Sequence, residues 1–306
     1  MLKYTIKRLL QVIPVMLVIS MLVFFMVHLV PGDPVKNMLG LETPKEVVEA
    51  ERERLGLNDP LYQQYFRFLK GAVTGDLGIS IYSKKPVMEE IAKKYIPTLK
   101  LALGGTIFAS VFGIVLGIIA AVKQNKFADN AIMFGSLICV STPSFFFALL
   151  LLLLFSLQLH WFPSIGLKTP MHYVLPIFTL GIRSVGNIAR TTRSAMLEVL
   201  HEDYIRTSRS RGIPEKVVIY SHAVKNALIP IITVVGLRFA GLLAGATLVE
   251  TVFSIPGIGR YMVDGVLKRD YPVVQGTVLV FALTFVVINT IVDLLYAAVD
   301  PRIKYE

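Results

Sequence analysis

Asp203-Tyr204-Ile205-Arg206-Thr207-Ser208-Arg209-Ser210-Arg211-Gly212-Ile213-Pro214 lies between two apolar stretches and is itself polar, basic and short. Its first residues are helix formers and small hydroxyl residues. Gly212 tolerates the left-handed conformation that closes a helix, and Pro214 cannot continue one, so the pattern predicts a short helix stopping at Gly212. Such a helix exposes Arg206, Arg209 and Arg211, with Asp203, Tyr204, Thr207 and Ser208 completing its surface. Held between apolar stretches, it reads as a docking element outside a membrane. The side on which it lies decides how many times the chain crosses.

Working outward, the 306 residues are 54% hydrophobic with mean hydropathy +0.65 and net charge +10. The apolar residues come in long, nearly uncharged runs, which is the signature of membrane helices. The basic residues are dispersed among these runs rather than gathered on one soluble face, which argues against nucleic acid and for contact with a lipid bilayer. Cys139 is the only cysteine, so no internal disulfide can form and a thiol metal site is excluded.

Lys3, Lys7 and Arg8 precede an apolar run from about 9 to 30, longer than the roughly 7–15 residues of a signal-peptide core and without a small-x-small cleavage site. It reads as a retained first span, residues 1–30. Residues 31–96 form a polar interlude with three short helices expected: one opened by a capping box at Thr43-Pro44-Lys45-Glu46 and closed by Gly56, one starting at Asp59-Pro60, and one from Pro86 to Tyr95. Gly75-Asp76-Leu77-Gly78 is a turn. Further spans are expected at about 98–122, 131–159, 171–189, 230–253 and 273–299, each near or above the roughly 20 residues that cross a bilayer core. The fourth carries Arg183 and Asn187. With six spans and the N-terminus inside, the cytoplasmic segments hold Lys123, Lys126, Arg190, Arg193, Arg206, Arg209, Arg211, Lys216, Lys225, Arg302 and Lys304 besides the N-terminal charges. The short outer loops hold only Lys168, Arg260, Lys268 and Arg269. Omitting the fourth span would put the 203–214 stretch outside, against this bias. Both termini are then cytoplasmic.

Several stretches, in this order and spacing, carry a family resemblance: Arg8-Leu9-Leu10-Gln11, Val30-Pro31-Gly32-Asp33-Pro34, Ala189-Arg190-Thr191-Thr192-Arg193-Ser194-Ala195-Met196, Glu250-Thr251-Val252-Phe253-Ser254-Ile255-Pro256-Gly257-Ile258-Gly259, Arg269-Asp270-Tyr271-Pro272 and Asp300-Pro301-Arg302-Ile303. Over essentially its whole length the chain resembles ATP-binding-cassette importer permeases, specifically the B-type subunit of the dipeptide, oligopeptide and nickel subfamily. The 190–229 segment resembles the family's cytoplasmic coupling loop. Arg206-Thr207-Ser208 stands where the general family has Glu-Ala-Ala, Gly212 matches the family glycine, and Val224-Lys225 replaces its Leu-Pro pair.

The resemblance implies an all-α integral membrane protein with six transmembrane helices, of type I importer permease (MetI-like) architecture, with a small helical extracytoplasmic first loop at 31–96 and a transmembrane domain at 97–306. It implies a bacterial or archaeal plasma membrane, a second homologous permease, two cytoplasmic ATPases that bind ATP and Mg and receive the 203–214 helix, and an extracytoplasmic substrate-binding protein. It implies di- or oligopeptides as cargo, with nickel as the alternative, and no catalytic residue, metal or cofactor in this chain. The sequence agrees from another direction. No Gly-Lys pair occurs, so no phosphate-binding Walker A loop is possible and ATP must be hydrolysed by another chain. Where the general family offers a carboxylate, Arg206 offers a guanidinium, so an acidic partner is expected there.

Arg183, Arg238 and Asp293 lie inside expected spans. Intramembrane charges are costly and usually face a partner or a wet cavity. Similar depth suggests an Arg238–Asp293 pair, leaving Arg183 toward the translocation path. His28 reads as interfacial, Trp161-Phe162 as an aromatic belt, and Ser254 to Gly259 as a break in the fifth span. A membrane protease is disfavoured because Ile205 occupies the position of the second His after His201-Glu202, and no Gly-x-Ser-x-Gly is present. An ion-coupled secondary transporter is the other class; it would want protonatable groups near the midplane and an internal repeat, and only Asp293 is available.

Overall fold

The computed structural model describes residues 2–29, 32–40 and 42–299, with side-chain surroundings at all of these except 2–9, 37, 245, 293 and 295–299. Among the described residues the structure is helical, with one isolated bridge between Ile79 and Pro86. The helices are α1 (Leu2–Leu29), α2 (Pro34–Leu39), α3 (Lys45–Arg54), α4 (Leu61–Thr74), α5 (Val87–Val122), α6 (Phe127–Ser141), α7 (Ser144–Leu151), α8 (Val174–Leu200), α9 (Asp203–Ser210), α10 (Glu215–Val217), α11 (Val224–Val252), α12 (Ile258–Lys268) and α13 (Tyr271–Val299). Two segments are π-helical: Leu152–Gln158, running on from α7, and Val218–Ala223, between α10 and α11. The chain forms two compact units: Met1–Thr98 with Pro256–Val286, and Leu99–Ile255 with Val287–Glu306.

The local outcomes follow from backbone chemistry. Gly75 adopts φ 80 and closes α4, and Gly212 adopts φ 73 two residues past α9, as their lack of Cβ permits. The capping box expected at Thr43 does not form. Pro44 is the N-cap without a side-chain bond, and the Thr43 hydroxyl donates instead to the Leu39 carbonyl. The helix expected at 86–95 does not stop. It continues through Pro97 as the 36-residue α5. One proline removes one donor and adds one clash, and a long helix packed on its neighbours absorbs both. The run 131–159 is not one rod: α6 and the α7 segment bend by 102° at the break. Pro143 forces Thr142 out of the α region, to ψ 127. The break expected at 254–259 is present, with Ser254 at φ 52 and the Ile255 amide donating back to the Glu250 carbonyl at 2.8 Å.

By length and composition four helical stretches can cross a membrane: Leu10–Leu29, Val87–Val122, Glu215–Ala244 and Tyr271–Val292. The bent α6–α7 pair makes a fifth if it is one span. The expected fourth span lies in α8, which is 27 residues long but carries Arg183, Arg190, Arg193 and Glu198. Its apolarity is one-sided: Leu180, Ser184, Ile188, Thr192, Ala195 and Met196 are buried, while Arg183 and Arg190 are exposed.

In the second unit α8 packs against α5, α6 and α11. The approach of α5 is very close. Gly105, Ala109, Gly113 and Gly117, four residues apart, make one stripe of small residues. A Cβ on Gly113 would lie 2.7 Å from Ile188 Cβ, and one on Gly117 2.5 Å from Thr192 Cβ and 2.7 Å from the Ala189 carbonyl. In hydrocarbon no hydrophobic gain drives helices together, so such van der Waals approach is what associates them. The first unit has a smaller core of Val87, Ile91, Ile258 and Val273. Beside it Asp270, 2% exposed, accepts from Ser80 Oγ (2.6 Å), the Ile81 amide (3.1 Å) and the Tyr82 amide (3.3 Å). This carboxylate fastens the bridged 79–86 loop to the α12–α13 junction.

The small-residue stripe makes a prediction. Gly117→Val overpacks the α5–α8 contact and should cost about 2 kcal/mol, seen as a fall in the melting temperature of the detergent-solubilised protein. Gly135→Ala, where an added Cβ meets nothing within 4 Å, should leave it unchanged.

Candidate functional site

The short helix read from 203–214 is present as α9, and the second unit holds it on three sides. Ile205 faces inward, fully buried, in a cluster with Ala121, Ala195, Met196, Val218 and Ile219. The Tyr204 hydroxyl accepts from Asn226 Nδ2 at 2.8 Å, tying α9 to the first turn of α11. Across the Gly212 turn, Arg209 binds Glu215 through two hydrogen bonds of 2.8 and 3.1 Å. That hydrogen bond raises the guanidinium's pKa, so Arg209 stays charged throughout the accessible pH range. A cavity of about 300 Å³ lies under α9, lined among others by Val122, Leu197, Leu200, Arg206 and Glu215.

This geometry refines the expectation that Arg206, Arg209 and Arg211 are all presented outward. Arg209 is committed to Glu215 within the same chain. Arg206, with only a 3.5 Å approach to Asp203, is 69% exposed, and Arg211 is exposed as well. The Thr207 and Ser208 hydroxyls donate back to the carbonyls of Asp203 and Tyr204. The outer surface of α9 is thus Asp203, Arg206, Thr207, Ser210 and Arg211, on a helix whose opposite side is fixed by one buried isoleucine.

Below α9 a bidentate ion pair ties α6 to α8. Arg193 Nε and Nη2 each lie 2.6 Å from an oxygen of Asp129, and the Asn125 amide donates to the same carboxylate at 2.9 Å. Asp129 is 1% exposed. Fork-to-carboxylate geometry of this kind fixes direction as well as distance. The π-helical Val218–Ala223 follows directly and packs on α9 and α8; such one-turn π segments are common at functional sites. Helix α9 is therefore tied to α11 through Asn226 and the π-helix, and to α8 through the cluster around Ile205.

Arg183 and Arg238 are both exposed on their helices, and among the described residues Arg183 enters no ion pair. The side chain of Asp293, expected opposite Arg238, lies outside the described residues, so that pairing is not addressed. Sequence reasoning counted Arg193 only as one positive charge of an inner loop, and it overlooked Asp129, Glu215 and Asn226. A signal existed for two of them: Asp129 is an acid in the first turn of a helix beside a basic loop, and Glu215 follows a helix-opening proline.

Known proteins resemble the chain along its entire length. Residues 113–305 match the family described as binding-protein-dependent transport system inner membrane component, and residues 1–102 match its N-terminal membrane component. The glutathione transport system permease protein GsiC of Escherichia coli (strain K12) is 45% identical over 306 residues, covering all of both chains. Its counterpart from Shigella flexneri serotype 5b is 44% identical over the same span. Among solved structures, an inward-facing MetNI methionine transporter superposes with TM-score 0.59 at 20% identity, covering 70% of this chain and 97% of that one. An amino acid transporter solved with histidines gives TM-score 0.52 at 16% identity, over 69% and 94%. These two speak to the fold.

The Asp129–Arg193 pair can be tested by a mutant cycle. Arg193→Gln leaves a buried carboxylate uncompensated and should cost about 3 kcal/mol, whereas Asp129→Asn with Arg193→Gln should cost less than the sum of the two single changes. Thermal unfolding of the solubilised protein measures both.

Proposed function

The chain belongs to the family of binding-protein-dependent transport system inner membrane components, the permeases of ATP-binding-cassette importers, and from that premise we propose that it forms half of a path for short peptides. The observation that carries the cargo is the end-to-end identity with a glutathione permease, glutathione being a tripeptide. A second, homologous permease supplies the other half. An extracytoplasmic binding protein delivers the peptide, and two cytoplasmic ATPases that hold ATP and Mg drive the cycle. Family membership sets aside the ion-coupled secondary transporter.

In this reading the membrane is a bacterial or archaeal plasma membrane, both termini are cytoplasmic, and α8 makes the sixth crossing. The one-sided polarity of α8 supports that: its apolar side is already buried against α5, α6 and α11, and its polar side is free to line a wet path. The segment 31–96 begins and ends on the outer side and receives the binding protein there. Each ATPase engages one permease, and here it takes the outward surface of α9, Asp203 to Gly212. Exposed Arg206 and Arg211 meet acidic groups on the ATPase, and the braces to Glu215 and Asn226 let α9 move α8 and α11 as one rigid piece. Arg183 and Arg238 line the path, where a guanidinium can meet a peptide carboxylate.

Three measurements test this. In proteoliposomes with both permeases, the ATPases and the binding protein, peptide uptake should need ATP and ignore an ionophore; Arg206→Glu should cut it about tenfold or more by placing like charges together at the docking surface. A cysteine at Ser208 should cross-link to the ATPase, and a chain that never does so sinks the docking assignment. Arg183→Gln should slow uptake of acidic peptides more than of neutral ones; equal uptake of both at the unmutated rate removes Arg183 from the path.

A further inference from the structure

Helix α4 does not stay at the level of the loop that carries it. It runs antiparallel along α1 from the outer end inward. Gln64 Oε1 lies 3.2 Å from His28 Nε2, the Tyr65 hydroxyl 3.0 Å from Ser20 Oγ, and the Phe68 ring stacks 6.3 Å from Phe24. Further down, Leu69, Ala72 and Val73 share an apolar groove with Ile13, Leu17 and Leu283. From Gln64, level with His28, to Val73 is nine residues, about 14 Å along the helix, against a hydrocarbon core of about 30 Å. Residues 10–29 of α1 are an apolar membrane-length stretch. The C-terminal end of α4 is therefore at membrane depth.

The end of α4 is built for a medium without water. Gly75 in the left-handed conformation donates to the Ala72 carbonyl, the Asp76 amide donates to the Gly71 carbonyl at 2.8 Å, and the Thr74 hydroxyl bonds the Lys70 and Gly71 carbonyls. The carbonyls of 70, 71 and 72 are thus satisfied without solvent, as irregular backbone in hydrocarbon requires. Away from α1, Tyr62 and Phe66 are 62 and 65% exposed, and Val73, which lines the groove, is 83% exposed. Its charges sit where they can be tolerated: Arg67 pairs with Asp59 at the outer end, and Lys70, exposed, leans toward the helix N-terminus and so toward the surface.

The helix also separates a wet side from a dry one. A cavity of about 310 Å³ is lined by His28, Gln64, Arg67, Asp76, Tyr271 and Gln275, groups that hold water. The groove of about 490 Å³ on the other side offers only the Ser20 hydroxyl, which is already bonded to Leu17 and Tyr65. Water needs two to four polar partners to stay in such a space, and this groove has none to spare. The groove is continuous with the side of α1 on which Leu10, Met21 and Leu22 are exposed.

We propose that α4 is a re-entrant helix and that the groove it forms with α1 and α13 holds one acyl chain of a membrane phospholipid. The proposal rests on the reading of α1 as a membrane crossing. The assembled transporter is placed in nanodiscs of phosphatidylcholine and phosphatidylglycerol, with Cys139→Ser and a fluorophore on a single cysteine at Val73, Phe66 or, on α1, Met21. Lipids brominated at mid-chain should remove roughly half the emission at Val73 and at Met21, and aqueous iodide should remove little. Phe66, nearer the surface, should be quenched less by these lipids than Val73. Quenching of Val73 by iodide, or by neither agent because protein covers it, overturns the proposal while Met21 still reports lipid. If Met21 is itself open to iodide, the crossing by α1 falls and the proposal falls with it.

Discussion

The approach of α5 to α8 across Gly105, Ala109, Gly113 and Gly117 is the contact on which the second unit depends. Without side chains along that stripe, two backbones come within reach of each other's carbonyls, and a medium that offers no hydrophobic force still holds the helices together. The close approach then fixes α8 in rotation. Gly181 faces Phe108 of α5, Gly186 faces the Ser136 carbonyl of α6, and Arg193 comes to Asp129. One element, set by the smallest residues, thereby places the strongest polar tie in the unit.

That tie and the braces of α9 belong to one mechanical path. A helix of eight residues has little intrinsic stability, since nucleation alone is unfavourable. What keeps α9 formed is burial of Ile205 and the bonds of Tyr204 and Arg209 to neighbouring segments. The same contacts fix it to α8 and α11. The π-helical turn at Val218–Ala223 leads directly into α11.

The first unit solves a different problem, which is to keep polar loop backbone beside membrane helices. Asp270 does so by gathering three donors from the 79–86 loop into a buried carboxylate, and charge-assisted bonds of that kind are stronger than neutral ones. Helix α4 does so by capping its own last turn. In both, the sequence cost is small: one acid beside an αL arginine, Arg269, and one glycine after a threonine.

Composition and the run lengths of apolar residues determined the class of this protein and most of its helices, because hydrocarbon leaves the backbone few alternatives and long uncharged runs have one meaning there. Gly212 and Pro214 likewise placed the end of α9, a local matter of allowed dihedrals. The order of the quoted stretches, from Arg8 to Ile303, was enough to point to the permease family. The tertiary structure alone decided where polarity is spent. That Pro97 would be carried through and Pro143 would not depends on what packs against each helix. That Arg209 turns to Glu215 while Arg206 faces out, that Arg193 is a structural fork rather than one of many inner charges, and that α4 descends along α1 are outcomes of contacts between residues far apart in the chain. A stretch of sequence shows which groups need partners; which partner is reached is settled only when helices have been brought together.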